Sequence, residues 1–291
     1  MQHDWCKGAR VVSECEPRLV IYPNFLSVEE ADHLVDLAHR GSLQAAAVAG
    51  VVVEPAQALS WDTGSTAKPA KSGRTVSIQL PSPCDDPTIR AIEKRCAEAT
   101  GIPSHLDEEP LGLRHTIPST ADECADKFCT ALHVDTNQGG VYRCATVLIY
   151  LHEIGAAVGG ETRFPLVGAP KHSPLREAAE RLARLGVTAF TPSEDVEWPP
   201  LACRRALHRA AELDEVGMHV KPQKGLAAVF WTHTKEGLDP YSWHAGARLP
   251  PEATNGKLLV QKFKSLPMGW RPQRKRDAVK LPASYVQPCV G

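Results

Sequence analysis

Residues 131–165 read ALHVDTNQGGVYRCATVLIYLHEIGAAVGGETRFP, and this stretch contains His133-Val134-Asp135, an H-x-D pair. Side chains two residues apart in an extended strand point to the same face, so this spacing aims an imidazole and a carboxylate at one point. Two histidines and one carboxylate are a common ligand set for non-haem Fe(II), and they leave coordination positions open. A metal site here therefore requires a second histidine from elsewhere in the chain.

The sequence offers that histidine in His244, within a W-H-A-G motif that follows an apolar, strand-like run at 225–231. Thirteen residues after His244 comes Lys257, a single lysine that opens another apolar run. We predict that His133, Asp135 and His244 hold a divalent metal ion. Lys257 would place a fixed cation nearby. A dicarboxylic keto acid would suit both, because its keto-acid end can chelate the metal while its far carboxylate pairs with the ammonium.

The composition is that of an ordinary globular protein. The chain has 291 residues, 43% hydrophobic and 23% charged, with a net charge of −1, which suits one large domain or two small ones. The near-neutral charge gives no reason to expect binding to nucleic acid or membranes. No apolar run approaches the ~20 residues needed to span a bilayer, and residues 1–20 lack the apolar core of a secretory signal. We expect a soluble protein of unassigned compartment; the secretory-pathway lumen stays open if the N-terminus was trimmed.

The nine cysteines are an odd number and cannot all pair within one chain. Cys124 and Cys129 are close enough in sequence to form a disulfide or to remain thiols. The sequence has no C-x-x-C pair of the kind that zinc sites use. We expect reduced, buried thiols for the set as a whole.

Capping signals predict two helices in the first third of the chain. Ser27 and Glu30 form an S-x-x-E capping box before a helical apolar pattern. We expect a helix over about 28–40 that ends at Gly41. Asp86-Pro87 begins a second helix, with aspartate as the cap and proline in the first turn.

From residue 111 onward, short strand-like segments separated by glycine and proline dominate. This order favours an antiparallel β-sandwich or barrel with helices on one side, not an alternating βαβ sheet. Residues 166–218 show helical periodicity and are predicted to be a helical insertion between two strands. We predict a loosely held arm at 1–16 and a tail at 267–291. The predicted strands lie at 18–25, 74–80, 111–117, 127–135, 144–151, 160–164, 219–222, 226–232, 241–246 and 257–264.

The motifs of this chain resemble those of the prolyl 4-hydroxylase group of Fe(II)/2-oxoglutarate dioxygenases. Six of them occur in that group's order and approximate spacing over residues 17–266: H-V-D, R-C-A-T-V-L-I-Y-L, G-G-E-T-R-F-P, K-P-Q-K-G-L-A-A-V-F-W, W-H-A-G and N-G-K. The resemblance implies one dioxygenase domain of the α+β class, mainly β, with a double-stranded β-helix (jelly-roll) core. His133, Asp135 and His244 would be the iron ligands. Lys257 would bind the distal carboxylate of 2-oxoglutarate.

The activity that the resemblance implies is hydroxylation of an unactivated C–H bond, first of all the 4-position of a prolyl residue in a peptide or protein. 2-Oxoglutarate and O2 would be consumed, succinate and CO2 released, and ascorbate would be an accessory reductant. Arg143 and Thr146 would line the co-substrate pocket, with a structural role about equally compatible. Trp243 and Arg74 are the candidate substrate contacts. For Trp243 the alternative is buried packing, which is the default role of a tryptophan.

Three departures from the group's pattern leave the substrate open. Thr130 stands where the group usually has a tyrosine, and Arg114-His115 stands where it often has R-Y. The 166–218 insertion is the third departure. The loop at 61–73 would fit a flap over an extended peptide, but a free amino acid or another small molecule is an alternative substrate. A non-catalytic jelly roll that binds metal is a further alternative, although it would not need both the triad and Lys257.

Overall fold

The computed structural model of the protein describes residues 4–48, 74–80, 85–118, 128–136, 143–154, 159–189, 201–213, 215–234, 237–249, 253 and 256–268. The predicted loop at 61–73 and nearly all of the predicted tail lie outside these residues. Within them the helices are α1 (Val28–Val48), α2 (Pro87–Thr100), α3 (Pro174–Arg184) and α4 (Leu201–Glu212). The strands are β1 (Arg10–Ser13), β2 (Leu19–Tyr22), β3 (Arg74–Gln79), β4 (Gly112–Ile117), β5 (Phe128–His133), β6 (Arg143–Tyr150), β7 (Thr162–Phe164), β8 (Met218–Val220), β9 (Ala227–Trp231), β10 (His233–Thr234), β11 (Gly237–Leu238), β12 (His244–Ala247) and β13 (Lys257–Ser265).

Eight of these strands form two antiparallel sheets that the chain visits in turn. β4, β13, β6 and β9 lie side by side in a larger sheet, and β5, β12, β7 and β8 form a smaller one. The last of the eight strands, β13, inserts between the first and the third, which is the strand order of a jelly roll. β1, β2 and β3 extend the larger sheet at its two ends. The predicted fold class is confirmed.

The larger sheet is buried on both faces. On its inner face, Leu148 and Phe230 join a cluster with Phe164 of the smaller sheet, so the two sheets pack face to face. On its outer face, Val147 joins a cluster with Ile92 of α2. Successive residues of β6 thus enter opposite cores, which explains why this strand reads as a nearly continuous apolar run.

Helix α1 begins where the sequence predicts and ends later. The Ser27 N–H donates to Glu30 Oε2 at 2.9 Å and the Glu30 N–H donates to Ser27 Oγ at 3.2 Å, which is the predicted capping box. The predicted end at Gly41 is wrong, because the helix continues to Val48. A glycine costs a helix about 1 kcal/mol relative to alanine, and the good helix formers that follow offset this. None of the described helices is long and apolar enough to cross a bilayer.

Helix α2 begins where the sequence predicts. The Asp86 carboxylate accepts from the N–H groups of Thr88 and Ile89, and Gly101 ends the helix with a left-handed φ of 72°. Its buried residues recur on one face and pack on the outer side of the larger sheet: Ile89, Ile92, Cys96 and Ala99.

The predicted helical insertion is confirmed and consists of α3 and α4, placed between β7 and β8. Leu182 of α3 and Leu207 of α4 cluster with Leu132 of β5, on the face of the smaller sheet that points away from the larger one. Arg163 of β7 donates to the carbonyls of Ala211 and Glu212 at 3.1 Å, where a cation stabilises the end of α4.

The chain after α3 also pairs with β5. The Val134 N–H donates to Thr188 O at 2.7 Å, and Ala189 forms an antiparallel bridge with His133. Because β5 is the end strand of the smaller sheet, the insertion covers the edge of the strand that carries the H-V-D motif.

The N-terminal residues are held more tightly than predicted. β1 pairs with β2 in the larger sheet, and Trp5 and Cys6 are buried in the outer core. Trp5 packs against Tyr22 and Phe25, with ring centroids 5.5 and 5.4 Å apart. The predicted loose arm at 1–16 is therefore wrong for the described residues from Asp4 onward, because a four-residue strand is too short to show periodicity.

The cysteines that can be described are thiols. They are Cys6, Cys15, Cys96, Cys144 and Cys203. Burial raises the pKa of the Cys96 thiol to about 12, so this side chain is a small apolar group at neutral pH. The expectation of reduced cysteines is confirmed for these five. The expectation of burial is wrong for Cys15, which is exposed, and Cys203 is only half-buried.

Two glycines with the same backbone conformation provide a test of the packing between β7 and β8. Gly217 and Gly168 both have a φ of +75°, but an added Cβ would lie 2.2 Å from Phe164 O at Gly217 and would meet nothing within 4 Å at Gly168. We expect Gly168→Ala to lower the free energy of unfolding by about 1 kcal/mol, through backbone strain alone. Gly217→Ala should lower it by about 3 kcal/mol, because β8 must also shift. Equal losses in denaturant unfolding would contradict this account.

Candidate metal centre

Strand pairing brings the two predicted histidine ligands together. His244 lies directly opposite His133 in the antiparallel pair β12–β5, and Asp135 follows two residues after His133. Their donor atoms all lie within 4.8 Å of one another. Asp135 and His244 are buried, and His133 is partly exposed. The H-x-D pair and the distant W-H-A-G motif therefore meet at one point.

Backbone carbonyls fix the tautomers of both imidazoles. His133 Nδ1 lies 2.8 Å from Ala131 O, and His244 Nδ1 lies 3.1 Å from Ser242 O. A carbonyl oxygen only accepts, so each Nδ1 carries a proton, and Nε2 is the ring nitrogen left to hold a metal. Both Nε2 atoms face Asp135, at 3.2 Å from Oδ1 for His133 and 3.4 Å from Oδ2 for His244. Two ring nitrogens and a carboxylate that converge on one point form a donor set that fits a divalent metal.

The electrostatics favour the protonation states that a metal requires. Burial would raise the pKa of Asp135, but His244 and His133 outweigh it and hold this pKa well below its usual range. Burial lowers the pKa of His244, and His133 lowers it further, against the opposing effect of Asp135. An ionised carboxylate and a neutral imidazole are the metal-binding forms of these side chains.

Side chains from both sheets hold the donor groups in place. Thr146 of β6 is fully buried and donates from Oγ1 to Asp135 Oδ2 at 2.8 Å. Phe164 and Phe230 pack on the His244 ring, with centroids 5.7 and 4.6 Å away. Such supporting contacts orient metal ligands and restrict their rotamers. Thr146, predicted to line a co-substrate pocket, thus contacts a predicted metal ligand directly.

Lys257 enters the same interior space. Its side chain is buried, and Nζ donates to Gly160 O at 2.9 Å. A Cβ on Gly246 would lie 3.5 Å from this Nζ. Gly246 is two residues from His244 on β12, so the ammonium and the imidazole lie on the same face of the smaller sheet. The structure places Lys257 beside the predicted metal site; carboxylate binding by Lys257 stays a prediction.

A pair of hydroxyl groups near Lys257 is missing from the sequence prediction. Tyr150 OH donates to Thr162 Oγ1 at 2.7 Å, and both side chains are buried. Thr162 pairs with Gly246 across β7 and β12, which brings the hydroxyls next to the lysine. Burial raises the pKa of the Tyr150 phenol, so it remains a proton donor at neutral pH. The sequence signal is the alternation along β6, which puts Tyr150 on the same face as Thr146.

The other residues predicted for the site are Arg143, Trp243 and Arg74. Both Glu109 carboxylate oxygens accept from the Arg143 guanidinium, at 2.6 and 2.5 Å. The Trp243 side chain is 1% exposed and packs in the cluster formed with the insertion helices, so it does not line an open substrate groove. Arg74 begins β3, opposite Ile117, and its side chain lies outside the described part of the structure.

A short buried loop positions His244. The Tyr241 N–H donates to Asp239 Oδ1 at 2.8 Å, and the Ser242 hydroxyl donates to Asp239 O at 3.0 Å. Ser242 in turn supplies the carbonyl that fixes His244 Nδ1. Burial raises the pKa of the Asp239 carboxyl to about 7.

The same loop is attached to the insertion and to the N-terminal segment. The Tyr241 hydroxyl donates to Glu180 of α3 at 2.5 Å. The Arg176 guanidinium lies 4.4 Å from the centre of the Tyr241 ring and pairs with Glu16 at 2.5 Å. Residues outside the metal site are thus connected to His244, the third predicted ligand, through the loop that contains Asp239, Tyr241 and Ser242.

Comparison with known proteins gives the relationship of most of the chain. No family model matches it. Probable prolyl 4-hydroxylase 10 of Arabidopsis thaliana is 31% identical over 232 residues, which cover 79% of this chain and 64% of that protein. Prolyl 4-hydroxylase 2 of the same plant is 28% identical over 232 residues, covering 79% and 62%. The chain is related to the prolyl 4-hydroxylases. The resemblance predicted from the motifs is confirmed, and the chain spans slightly under two thirds of the length of these relatives.

Solved structures give a looser likeness. The viral collagen prolyl hydroxylase of Paramecium Bursaria Chlorella virus-1 is 14% identical, with a TM-score of 0.46, and the match covers 86% of this chain and 96% of that one. At this TM-score the likeness adds no argument to the prolyl 4-hydroxylase relationship found in the sequence.

Substitution of Thr146 tests whether its hydroxyl supports a metal ligand. Thr146→Val keeps the shape of the side chain and removes the donor to Asp135 Oδ2. We expect Co(II) or Mn(II) to bind the purified protein roughly 10- to 100-fold more weakly, as for other outer-shell changes at metal sites. Thr146→Ser keeps the hydroxyl and is the matched control. Equal affinities for the valine and serine variants, in a metal titration, would contradict this role.

Asp239 predicts a specific pH dependence of stability. Its folded-state pKa of about 7 is above the ordinary value, because of burial and the nearby Glu16, with Arg176 acting in the opposite direction. The folded protein therefore keeps a proton that the unfolded chain releases, so this contribution is full below pH ~4 and is lost as the pH rises to about 7. Its size is at most about 4 kcal/mol.

The test of this dependence is Asp239→Asn, whose amide oxygen can still accept from the Tyr241 N–H. Relative to wild type, the variant should gain free energy of unfolding between pH 5 and pH 8. Asp107→Asn, at an exposed aspartate, should leave the profile unchanged. Urea unfolding at the two pH values makes the measurement, and parallel profiles for wild type and Asp239→Asn would disprove the assignment.

Proposed function

We propose that the protein is an Fe(II)- and 2-oxoglutarate-dependent dioxygenase that hydroxylates an unactivated C–H bond and releases succinate and CO2. The observation that carries the proposal is the meeting of His133, Asp135 and His244, with both Nε2 atoms and the carboxylate directed at one point. This ligand set suits iron oxygenases because it leaves positions for a co-substrate and O2. The relationship to prolyl 4-hydroxylases supports the same chemistry.

The interior beyond the metal ligands suits a dicarboxylate. Lys257 would pair with the distal carboxylate of 2-oxoglutarate, and the hydroxyls of Tyr150 and Thr162 would supply neutral donors beside it. Thr146 would keep Asp135 oriented. Iron, 2-oxoglutarate and O2 together supply the oxidising power when bound, with ascorbate as an accessory reductant. The protein holds the reactants in place and excludes water.

Two substrate classes remain for this chemistry. The first is a prolyl residue in a peptide or protein, hydroxylated at its 4-position, which the names of the curated relatives support. The second is a free amino acid or another small molecule. A specific observation favours the second class. The Arg114 guanidinium enters the interior and bonds to a neutral amide, so its charge could pair with the carboxylate of a free amino acid.

A jelly roll that binds metal without turnover is the competing function. It would account for the two histidines and Asp135 but would give no role to the buried Lys257 ammonium. Metal binding without turnover needs the triad alone and does not need a buried lysine beside it. The lysine therefore favours a site that takes an anionic co-substrate.

The proposal predicts a spectroscopic signal. Mixing the protein with Fe(II) and 2-oxoglutarate under anaerobic conditions should give a visible charge-transfer band, and His133→Ala should abolish it by removing a ligand. His219→Ala is the control, at a half-buried histidine that contacts Val216 O at 3.2 Å outside the site. Absence of the band from the wild-type protein would refute the dioxygenase assignment.

Product analysis separates the two substrate classes. The aerobic enzyme with Fe(II) and 2-oxoglutarate is incubated with proline-rich peptides and, separately, with free proline, and each is examined by mass spectrometry for one added oxygen. Modified peptide with unchanged free proline would support the first class. The reverse pattern would support the second.

A further inference from the structure

Arg114 is a charged side chain inside the two-sheet core that the iron and 2-oxoglutarate sites do not use. It lies in β4, opposite Leu259 of β13, and Leu259 belongs to the apolar cluster between the sheets. Directly opposed residues of an antiparallel pair project to the same face. Arg114 therefore enters the space between the sheets, and its Nη1 donates to Gln261 Oε1 at 2.8 Å.

This guanidinium differs from three other arginines that are half-buried or buried. Arg95, Arg143 and Arg176 each form an ion pair with a glutamate. Arg114 has no carboxylate within salt-bridge distance among the described residues, and its hydrogen-bond partner there is the neutral Gln261 amide. A guanidinium does not deprotonate at neutral pH, so its charge persists in the interior. Arg114 is half-buried, and a charge partly removed from water without an ionic partner favours an anion that the folded site receives.

Arg114 lies close enough to the metal site for their charges to interact. Burial lowers the pKa of Arg114, the charge of Asp135 acts in the opposite direction, and Arg143 adds to the lowering. Gln261 pairs with Leu148 of β6, and its neighbour on the inner face, Phe263, pairs with Thr146. Thr146 is the residue that bonds to Asp135. The Arg114–Gln261 pair is therefore adjacent to the predicted metal ligands along the same sheet face.

We propose that Arg114, together with Gln261, binds the carboxylate of a small substrate of the free amino acid class, next to the metal site. The proposal rests on the proposed function above and names its substrate class. A guanidinium binds a carboxylate through two parallel N–H···O bonds, and the amide N–H2 of Gln261 is a further donor. Leu148, which pairs with Gln261, offers apolar surface for the body of such a molecule on the same face.

The test compares free amino acids with their amides. Protein loaded with Fe(II) and 2-oxoglutarate without O2 is titrated with each free amino acid, starting with L-proline, and every one that binds is compared with its primary amide. The change in the charge-transfer band reports binding. We expect at least one acid to bind the wild type at least ~10-fold more tightly than its amide, as loss of a charged hydrogen bond implies. Arg114→Gln should weaken this acid by about 100-fold and leave the amide unchanged.

A second variant keeps the test decisive if Arg114→Gln folds poorly. Gln261→Glu keeps the guanidinium and supplies a carboxylate within its reach, so it should also prevent acid binding. Arg114→Lys keeps the charge but loses the two-pronged geometry and should bind with intermediate affinity. Arg95→Gln, at a half-buried arginine paired with Glu30 on the far side of the larger sheet, should bind the acid as wild type does.

Each other outcome has a defined meaning. A wild-type protein that shows the band but binds no free amino acid, or binds acids and amides equally, overturns this inference and leaves the proposed function standing. Weaker 2-oxoglutarate binding in Arg114→Gln, with amino acid binding unchanged, assigns Arg114 to the co-substrate and also overturns it. Absence of the band in wild type overturns the proposed function and this inference together.

Discussion

The pairing of β5 with β12 is the interaction on which the site depends. It places His133 opposite His244, and each ring then bonds to a carbonyl of its own strand or adjoining loop. Side chains alternate along a strand, so a slip of one residue would turn one histidine away from the other. Apolar packing on the opposite face, where Leu132 and Ala245 meet the insertion helices, opposes such a slip.

The interior between the sheets is organised by charge as well as by packing. The predicted metal ligands and Thr146 lie together, Lys257 lies near the hydroxyls of Tyr150 and Thr162, and Arg114 lies beside Gln261. Apolar residues such as Phe164 and Phe230 separate these groups from solvent. Charges interact strongly in such surroundings, so each cation favours an anionic ligand. The site is therefore suited to anions on more than one side of the metal.

Much of the fold and of the candidate site could be predicted from the sequence, because short spacings and ordered motifs carry the information. The H-x-D pair, His244 and Lys257 belong to motifs whose order is characteristic, and the caps at Ser27 and Asp86 depend on neighbouring residues. The sequence does not predict the direction of a side chain where strand pairing decides it. The inward direction of Arg114 and Tyr150 and the burial of Trp243 follow from pairing between distant segments. β1 was missed because four residues are too few to show a pattern.

The hydrogen bond between Val134 and Thr188 gives the insertion a part in the sheet itself. Without residues 188 and 189, the outer side of β5 would present unpaired backbone groups beside two of the predicted metal ligands. Bare strand edges readily recruit strands from other molecules. The insertion therefore protects the protein against self-association through its own active-site strand. A shortened relative would need a bulge, a proline or a charged residue on that edge to remain monodisperse.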